Sequence, residues 1–146
     1  MICVVGGSGF IGTRLCRRLS AKKSEFLIVD KKMGREFPAL TKTADVRALD
    51  SLRGAVSGNA VLVNLAAEHH DNVRPLSLYD DVNVQGAENV CVVAREKKIS
   101  HIIFTSSVAV YGFAPSGTDE NGQINYFNDY GRTKWLAEKV YRKWQE

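Results

Sequence analysis

Met1-Ile2-Cys3-Val4-Val5-Gly6-Gly7-Ser8-Gly9-Phe10-Ile11-Gly12 opens the chain, and its reading decides the fold. A short apolar, β-branched run passes into glycines at 6, 9 and 12, and an amphipathic pattern follows at once. This predicts a buried strand, a tight turn, and a helix whose first N–H groups point outward. Glycine there permits positive φ, clears space where a pyrophosphate would lie, and lets helix pack on strand. Gly7, Gly9 and Gly12 also satisfy G-x-G-x-x-G. Glycine turns are common, but with a strand before and a helix after, the stretch points to dinucleotide binding.

Outward from this turn, strands and helices alternate. Ile11, Leu15 and Leu19 follow helical spacing to about Ala21, and Glu25 to Asp30 is an apolar run ending in an acid. Residues 31–41 are a polar, Pro/Gly-bearing loop with room for a short helix. Lys42–Asp45 is a brief strand, and Ala48–Val56 a helix with Asp50 or Ser51 near its start, stopped by Gly58-Asn59. Ala60 to Leu65 is the next buried strand. A helix runs over about 80–98, with Asn83, Ala87, Val90, Cys91 and Ala94 along one face. Ile102 to Ser107 is a strand delivering hydroxyls, Thr105 among them, at its carboxyl end. After a long loop, residues 130–145 form a helix with Ala137, Val140, Tyr141 and Trp144 on one side. The alternation predicts an α/β, doubly wound parallel sheet of order 3-2-1-4-5, with a ligand crevice where strands 1 and 4 diverge.

Composition bounds the function classes. A chain of 146 residues with 45% hydrophobic and 25% charged side chains has room for one domain with a real core. No apolar run is long enough to span a membrane, and with a strand beginning at once after Met1 no signal peptide is expected. Cys3, Cys16 and Cys91 sit in apolar patterns without C-x-x-C spacing, so free buried thiols in a cytoplasmic protein are expected, and no metal site. The net charge of +4 comes from Lys and Arg scattered over outer helix faces, without a basic tract or aromatic interleaving. Nucleic acid is therefore not an expected partner.

Beyond the glycine turn, two constellations carry chemistry. Asp30, eighteen residues after Gly12, sits where a carboxylate accepts both hydroxyls of an adenosine ribose and repels a 2′-phosphate. That favours NAD over NADP, although Lys31, Lys32 and Arg35 stand close enough to hold a phosphate. Tyr130 and Lys134 are four apart on one helical face. Ser107 ends the preceding strand, so all three converge on the crevice edge. A tyrosine working as a base near pH 7 needs its pKa lowered from about 10, and a neighbouring ammonium supplies part of that. His69 and His70 read as solvated loop residues.

Together, Gly6 to Gly12, Asp30, Asp45-Val46, Leu65-Ala66-Ala67, Ser106 to Gly112 and Tyr130-Gly131-Arg132-Thr133-Lys134 resemble the extended short-chain dehydrogenase/reductase family. The similarity is greatest to its NAD-dependent nucleotide-sugar epimerase/dehydratase branch, and it runs along the whole chain. The resemblance implies that Gly6, Gly9, Phe10, Ile11 and Gly12 surround the pyrophosphate and Asp30 holds the ribose. Asp45 and Val46 would meet the adenine, while Leu65, Ala66 and Ala67 line the middle of the cofactor and Thr105 is a further cofactor contact. Asn83 supports the site; Ser107, Tyr130 and Lys134 form the catalytic triad, with Tyr130 and Lys134 also reaching the cofactor.

Two departures refine this. Val108 and Ala109 stand where the family's 4,6-dehydratases carry an acidic pair, which points toward an epimerase, a 4-epimerase first, or a reductase. The family also continues beyond the last helix with further strands and a substrate domain. Residues 1–146 are thus expected to be an incomplete dinucleotide-binding domain, the amino-terminal piece of a protein roughly twice as long, inactive alone. A nucleotide-sugar is the expected substrate. A homodimer, or association through the exposed sheet edge or helices 80–98 and 130–145, is expected. An NADP-dependent reductase and a non-catalytic dinucleotide sensor are the alternatives.

Overall fold

In the computed structural model, which describes residues 1–58 and 60–146, five parallel strands form one sheet in the order β3-β2-β1-β4-β5. The strands are β1 (Ile2–Val5), β2 (Phe26–Asp30), β3 (Thr41–Thr43), β4 (Val61–Asn64) and β5 (His101–Phe104). Their register is tight: Val4 lies beside Ile28 and Val63, and Val63 beside Ile103. The chain winds outward from β1 to β3, then returns across β1 to build β4 and β5. The carboxyl ends of β1 and β4 therefore flank the point where the winding reverses, the place for a ligand in such sheets.

Alternation along β1 assigns the two faces. Val4 turns to the side of α1 (Phe10–Ala21), packing with Cys16, Leu19, Phe26 and Ile28. Cys3 and Val5 turn to the other side, joining Val29, Leu62, Leu52, Val90, Val93 and Ala94. That side is covered by α2 (Leu49–Ala55), α4 (Gly86–Glu96) and α5 (Asp129–Gln145), with Tyr141 and Trp144 of α5 against its core. The three cysteines are buried and unpaired. Among the described residues no helix is long and apolar enough to cross a membrane.

The structure corrects several sequence-based boundaries. In α1 the inward stripe is Gly12, Cys16 and Leu19, and Ile11 is exposed, because Gly12 is the position pressed on the turn. β3 begins at Thr41 and ends before Asp45. β5 stops at Phe104, since its partner β4 ends at Asn64 and the ladder has nothing further to bond. Thr105 to Ser107 then lead into a 3-10 turn over Val108–Tyr111. The helix expected from residue 80 begins earlier, with a single turn, α3 (Ser77–Tyr79), and passes through a π segment at Asp80–Gln85 before α4. All five residues assigned to its inner face are buried. The helix stop placed at Gly58-Asn59 involves Asn59, which lies outside the described residues; α2 itself ends at Ala55.

Candidate active site

The glycine turn is built by contact. Gly6 has φ +77°, and a Cβ there would lie 2.6 Å from the Ala66 nitrogen, so the turn after β1 is pressed against the chain leaving β4. A Cβ on Gly12 would lie 2.5 Å from the Gly7 Cα, which seats the first turn of α1 directly on the loop. Gly9 differs. A Cβ there would meet only the Gly6 oxygen, at 3.4 Å, and would otherwise project into open space. Gly9 is also the N-cap of α1, with no side-chain cap and no acid in the first turn. Phe10 and Ile11 flank this opening, 73% and 57% exposed, with the Arg14 guanidinium stacked 3.6 Å over the Phe10 ring. The result is an uncapped, positively polarised helix end facing a small clearing, suited to an anionic group.

Asp30 is held at the tip of β2 by two backbone donors. Ser8 N–H donates to Oδ2 and Lys32 N–H to Oδ1, both at 3.0 Å. Each oxygen keeps further lone-pair capacity, enough for two hydroxyls of a sugar. Neither Ser8 nor Lys32 was singled out from sequence in this role, because backbone donors carry no side-chain signature. Beside them lies a cavity of about 310 Å³ lined by Gly7, Ser8, Thr13, Lys32, Arg35 and Phe37 among others.

Asp45 and Val46 follow β3. The Arg47 guanidinium bonds both Asp45 oxygens, at 2.7 Å from its NH2 group, and this pairing holds the carboxyl below its ordinary range. The Val46 side chain is in the core, and its carbonyl accepts from Asn89 Nδ2 at 2.8 Å. Leu65, Ala66 and Ala67 line the way out of β4, half-buried, with the Ala66 N–H on Asn64 Oδ1. Asn83, inside the π segment, is the pin of this region. Its Oδ1 accepts from Glu68 N–H at 2.8 Å, and its Nδ2 donates to the Glu68 carbonyl and to Thr133 Oγ1. π segments recur at functional sites. Thr133 is fully buried and was missed in the sequence, since nothing distinguishes it from a core threonine. His69 and His70 are exposed, their rings 4.2 Å apart.

Ser107, Tyr130 and Lys134 come from two segments that meet. Lys134 is 3% exposed, its Nζ donating to the Thr105 carbonyl and lying 4.1 Å from the Phe104 ring centroid. Burial pushes its pKa down to about 8, opposed by the Glu138 carboxylate. Ser107 is two residues beyond that carbonyl. It caps the 3-10 turn, with Oγ accepting from Ala109 N–H at 3.2 Å. A Cβ on Gly131 would lie 2.4 Å from the Ala109 carbonyl oxygen, so Tyr130's neighbour is in backbone contact with the turn that Ser107 caps. Tyr130 is half-buried. Asn128 starts this helix by accepting from Gly131 N–H at 2.8 Å, an N-cap legible as Asn128 before the periodic run. Val108, next to Ser107, is 82% exposed and brings no acid to the site.

A family model described as NAD dependent epimerase/dehydratase family matches residues 2–146. The chain is 46% identical over 145 residues to the N-acetyl-alpha-D-glucosaminyl-diphospho-ditrans,octacis-undecaprenol 4-epimerase of Escherichia coli O157:H7, covering 98% of this chain and 43% of that one. It is 31% identical over 148 residues to the UDP-glucose 4-epimerase of Rhizobium meliloti (strain 1021), covering 95% and 45%. Among solved structures, a UDP-glucose 4-epimerase superposes with a TM-score of 0.86 at 29% identity, over 98% of this chain and 46% of that one. A UDP-galactose 4-epimerase gives 0.85 at 27% identity, over 95% and 49%. The chain thus spans about half the length of the curated relatives it matches. Similarity that runs from the glycine turn through the Tyr130–Lys134 helix, on the same sheet order, settles the kinship: the chain belongs to the NAD dependent epimerase/dehydratase family.

Proposed function

We propose that this chain supplies the NAD-binding and proton-transfer part of a nucleotide-sugar epimerase, a 4-epimerase. One observation carries the reading: at the winding reversal, the open uncapped turn at Gly9 shares a sheet end with Asp30 and with Lys134 buried against the Thr105 carbonyl. The residues fit the dinucleotide. No acid in the first turn of α1 opposes a pyrophosphate among Gly6, Gly9, Phe10, Ile11 and Gly12, and Asp30 retains acceptors for the ribose. Asp45 and the backbone of Val46 would border the adenine, the Val46 side chain being committed to the core. Leu65, Ala66, Ala67 and Thr105 would line the middle, Asn83 would brace it, and Tyr130 and Lys134 would reach the nicotinamide ribose. NAD bound there supplies reversible oxidation of a sugar alcohol to a ketone.

The chain's own residues then handle the proton. Tyr130, as phenolate, accepts it from the sugar hydroxyl, and Ser107 donates a hydrogen bond to the same oxygen as it becomes a carbonyl. The Lys134 ammonium, one helical turn away, favours that phenolate. Returning the proton to the turned-over ketone completes an epimerisation with no net redox. The relatives' naming as 4-epimerases and the exposed, non-acidic Val108 favour this over dehydration.

The test is turnover. In a longer protein containing this segment, Tyr130→Phe is expected to lower UDP-sugar 4-epimerisation by roughly 10²–10⁴-fold; unchanged turnover overturns the assignment. The 146-residue chain alone, which spans about half the length of its relatives, is expected to bind NAD weakly or not at all and to show no epimerisation. A second reading, an NADP-dependent keto-sugar or alcohol reductase, draws on Lys32 and Arg35 at the cavity beside Asp30. Tighter NADP than NAD binding by the longer protein would establish it. The substrate proposed is a nucleotide-sugar and the compartment the cytoplasm, where three unpaired buried thiols persist. Self-association is proposed through β5, whose Ile103 is 54% exposed on the α1 side of the sheet.

A further inference from the structure

The segment carrying Ser107 is not held by the sheet. β5 ends at Phe104, and the Thr105 N–H reaches the Asn64 carbonyl only at 3.5 Å. What fixes Thr105-Ser106-Ser107 is α5, through two side chains one turn apart. Lys134 Nζ donates to the Thr105 carbonyl, and the next residue's hydroxyl, Ser106 Oγ, donates to Glu138 Oε1. Glu138 is itself steadied. Its Oε2 accepts from Arg142 at 3.2 Å, and the Arg142 guanidinium lies 5.3 Å from the Trp135 ring centroid. Its side chain is 19% exposed, and the proton-transfer scheme makes no use of it.

We infer that Glu138 is a positioning residue of this site: through Ser106 it ties the segment after β5 that bears Ser107 to the helix bearing Tyr130 and Lys134, and it stations a negative charge one turn from the buried Lys134 ammonium. The inference rests on the reading of Ser107, Tyr130 and Lys134 given above. Two ties on adjacent residues set the register of segment against helix, where a single tie would leave it free to pivot. The charge matters because Lys134 assists a phenolate only while protonated, and its burial works against protonation. Glu138 is the charged group that opposes that burial. Ionisable groups on the elements packed against α5 include Tyr79 of α3, Asp80 and Asp81 of the π segment, Cys91 of α4 and Tyr111 of the 3-10 turn, with Tyr130, Arg132, Tyr141 and Arg142 on α5 itself.

The test follows the Lys134 side chain by carbon-13 NMR of lysine-labelled 146-residue protein through a pH titration. Glu138→Gln is expected to lower the Lys134 midpoint by about one pH unit. An unmoved midpoint overturns the electrostatic half of the proposal. Ser106→Ala keeps the charge and removes the tie; amide hydrogen exchange at Ala109 and Val110, whose N–H groups bond Ser107, is expected to quicken about tenfold. Unchanged exchange overturns the positional half, and Ser106→Ala serves even where Glu138→Gln fails to fold. The underlying reading fails separately, by retained turnover in Tyr130→Phe, and the positioning role falls with it. Lost turnover there, with an unmoved Glu138→Gln midpoint and unchanged exchange in Ser106→Ala, sinks the Glu138 role alone.

Discussion

Lys134 and Gly12 show opposite ways in which one residue serves this site. Lys134 is a cationic side chain forced into the interior, with pKa about 8 in the fold against 10.5 free. Below pH 8 it is charged in both states, so the folded state carries a burial penalty of about 3 kcal/mol. Between pH 8 and 10.5 the folded protein has already lost that proton while the unfolded chain keeps it. Stability therefore rises with pH across this window and levels off above it. Lys134→Met is expected to be more stable at pH 7 by about 1–3 kcal/mol and to lack that rise, as read by urea unfolding at both ends. Gly12→Ala would drive a Cβ into backbone at 2.5 Å and is expected to cost about 2–4 kcal/mol. Gly9→Ala is expected to cost under about 1 kcal/mol, its Cβ facing open space. Equal losses from the two, in parallel denaturation curves, would contradict the geometry of the turn.

Between elements, the π segment and α5 are joined by polar groups that the sheet cannot replace. Asn83 satisfies both backbone groups of Glu68 and the buried Thr133 hydroxyl, so Asn83→Ala strands several buried partners at once. A loss of about 2–4 kcal/mol is expected, with increased amide exchange at Glu68 and Thr133. Arg132 donates two bonds to Asp80, at 2.9 and 2.6 Å, clamping the same junction from its more exposed rim. Arg132 also holds the Asp80 carboxyl below its ordinary range. This stabilisation is present above the free Asp value and is lost as pH falls through the depressed one. Asn83 was legible as a buried-face position and as a match to the family's supporting asparagine. Its π geometry was not, because an inserted residue in a helix changes hydrogen-bond spacing without changing the apolar pattern.

At the scale of the whole molecule, the core on both faces of the sheet is sealed at its cysteines and the β5 edge is open. Cys3 and Cys16 are pushed up to about 11 and Cys91 to about 12, all by burial. All three are expected to resist iodoacetamide in native protein and to react only on unfolding; labelling of any one without denaturant would show that its packing opens. Ile103, aligned with Val63 and Val4, faces the α1 side, yet α1 packs over β1 and β2 and leaves it 54% exposed. An apolar residue on an unpaired edge strand favours association. Light scattering is expected to show concentration-dependent self-association that Ile103→Lys reduces; a monomer insensitive to both would remove that proposal.

The strand–glycine–helix opening, the strand order, the buried cysteines and the apolar face of α4 were determined by the sequence itself, because period, glycine spacing and crossover handedness are local or strongly biased properties. So was the placing of Tyr130 and Lys134 one turn apart on a single helix, a matter of helical pitch. Only tertiary structure decided which glycine faces open space, that β5 releases the chain at Phe104, and that Ser8 and Lys32 lend their amides to Asp30. It alone decided that Glu138 and Ser106 meet across thirty-two residues. Backbone donors and side-chain pairs between distant segments leave no periodic trace, since what joins them is the packing of helix on sheet rather than any spacing along the chain.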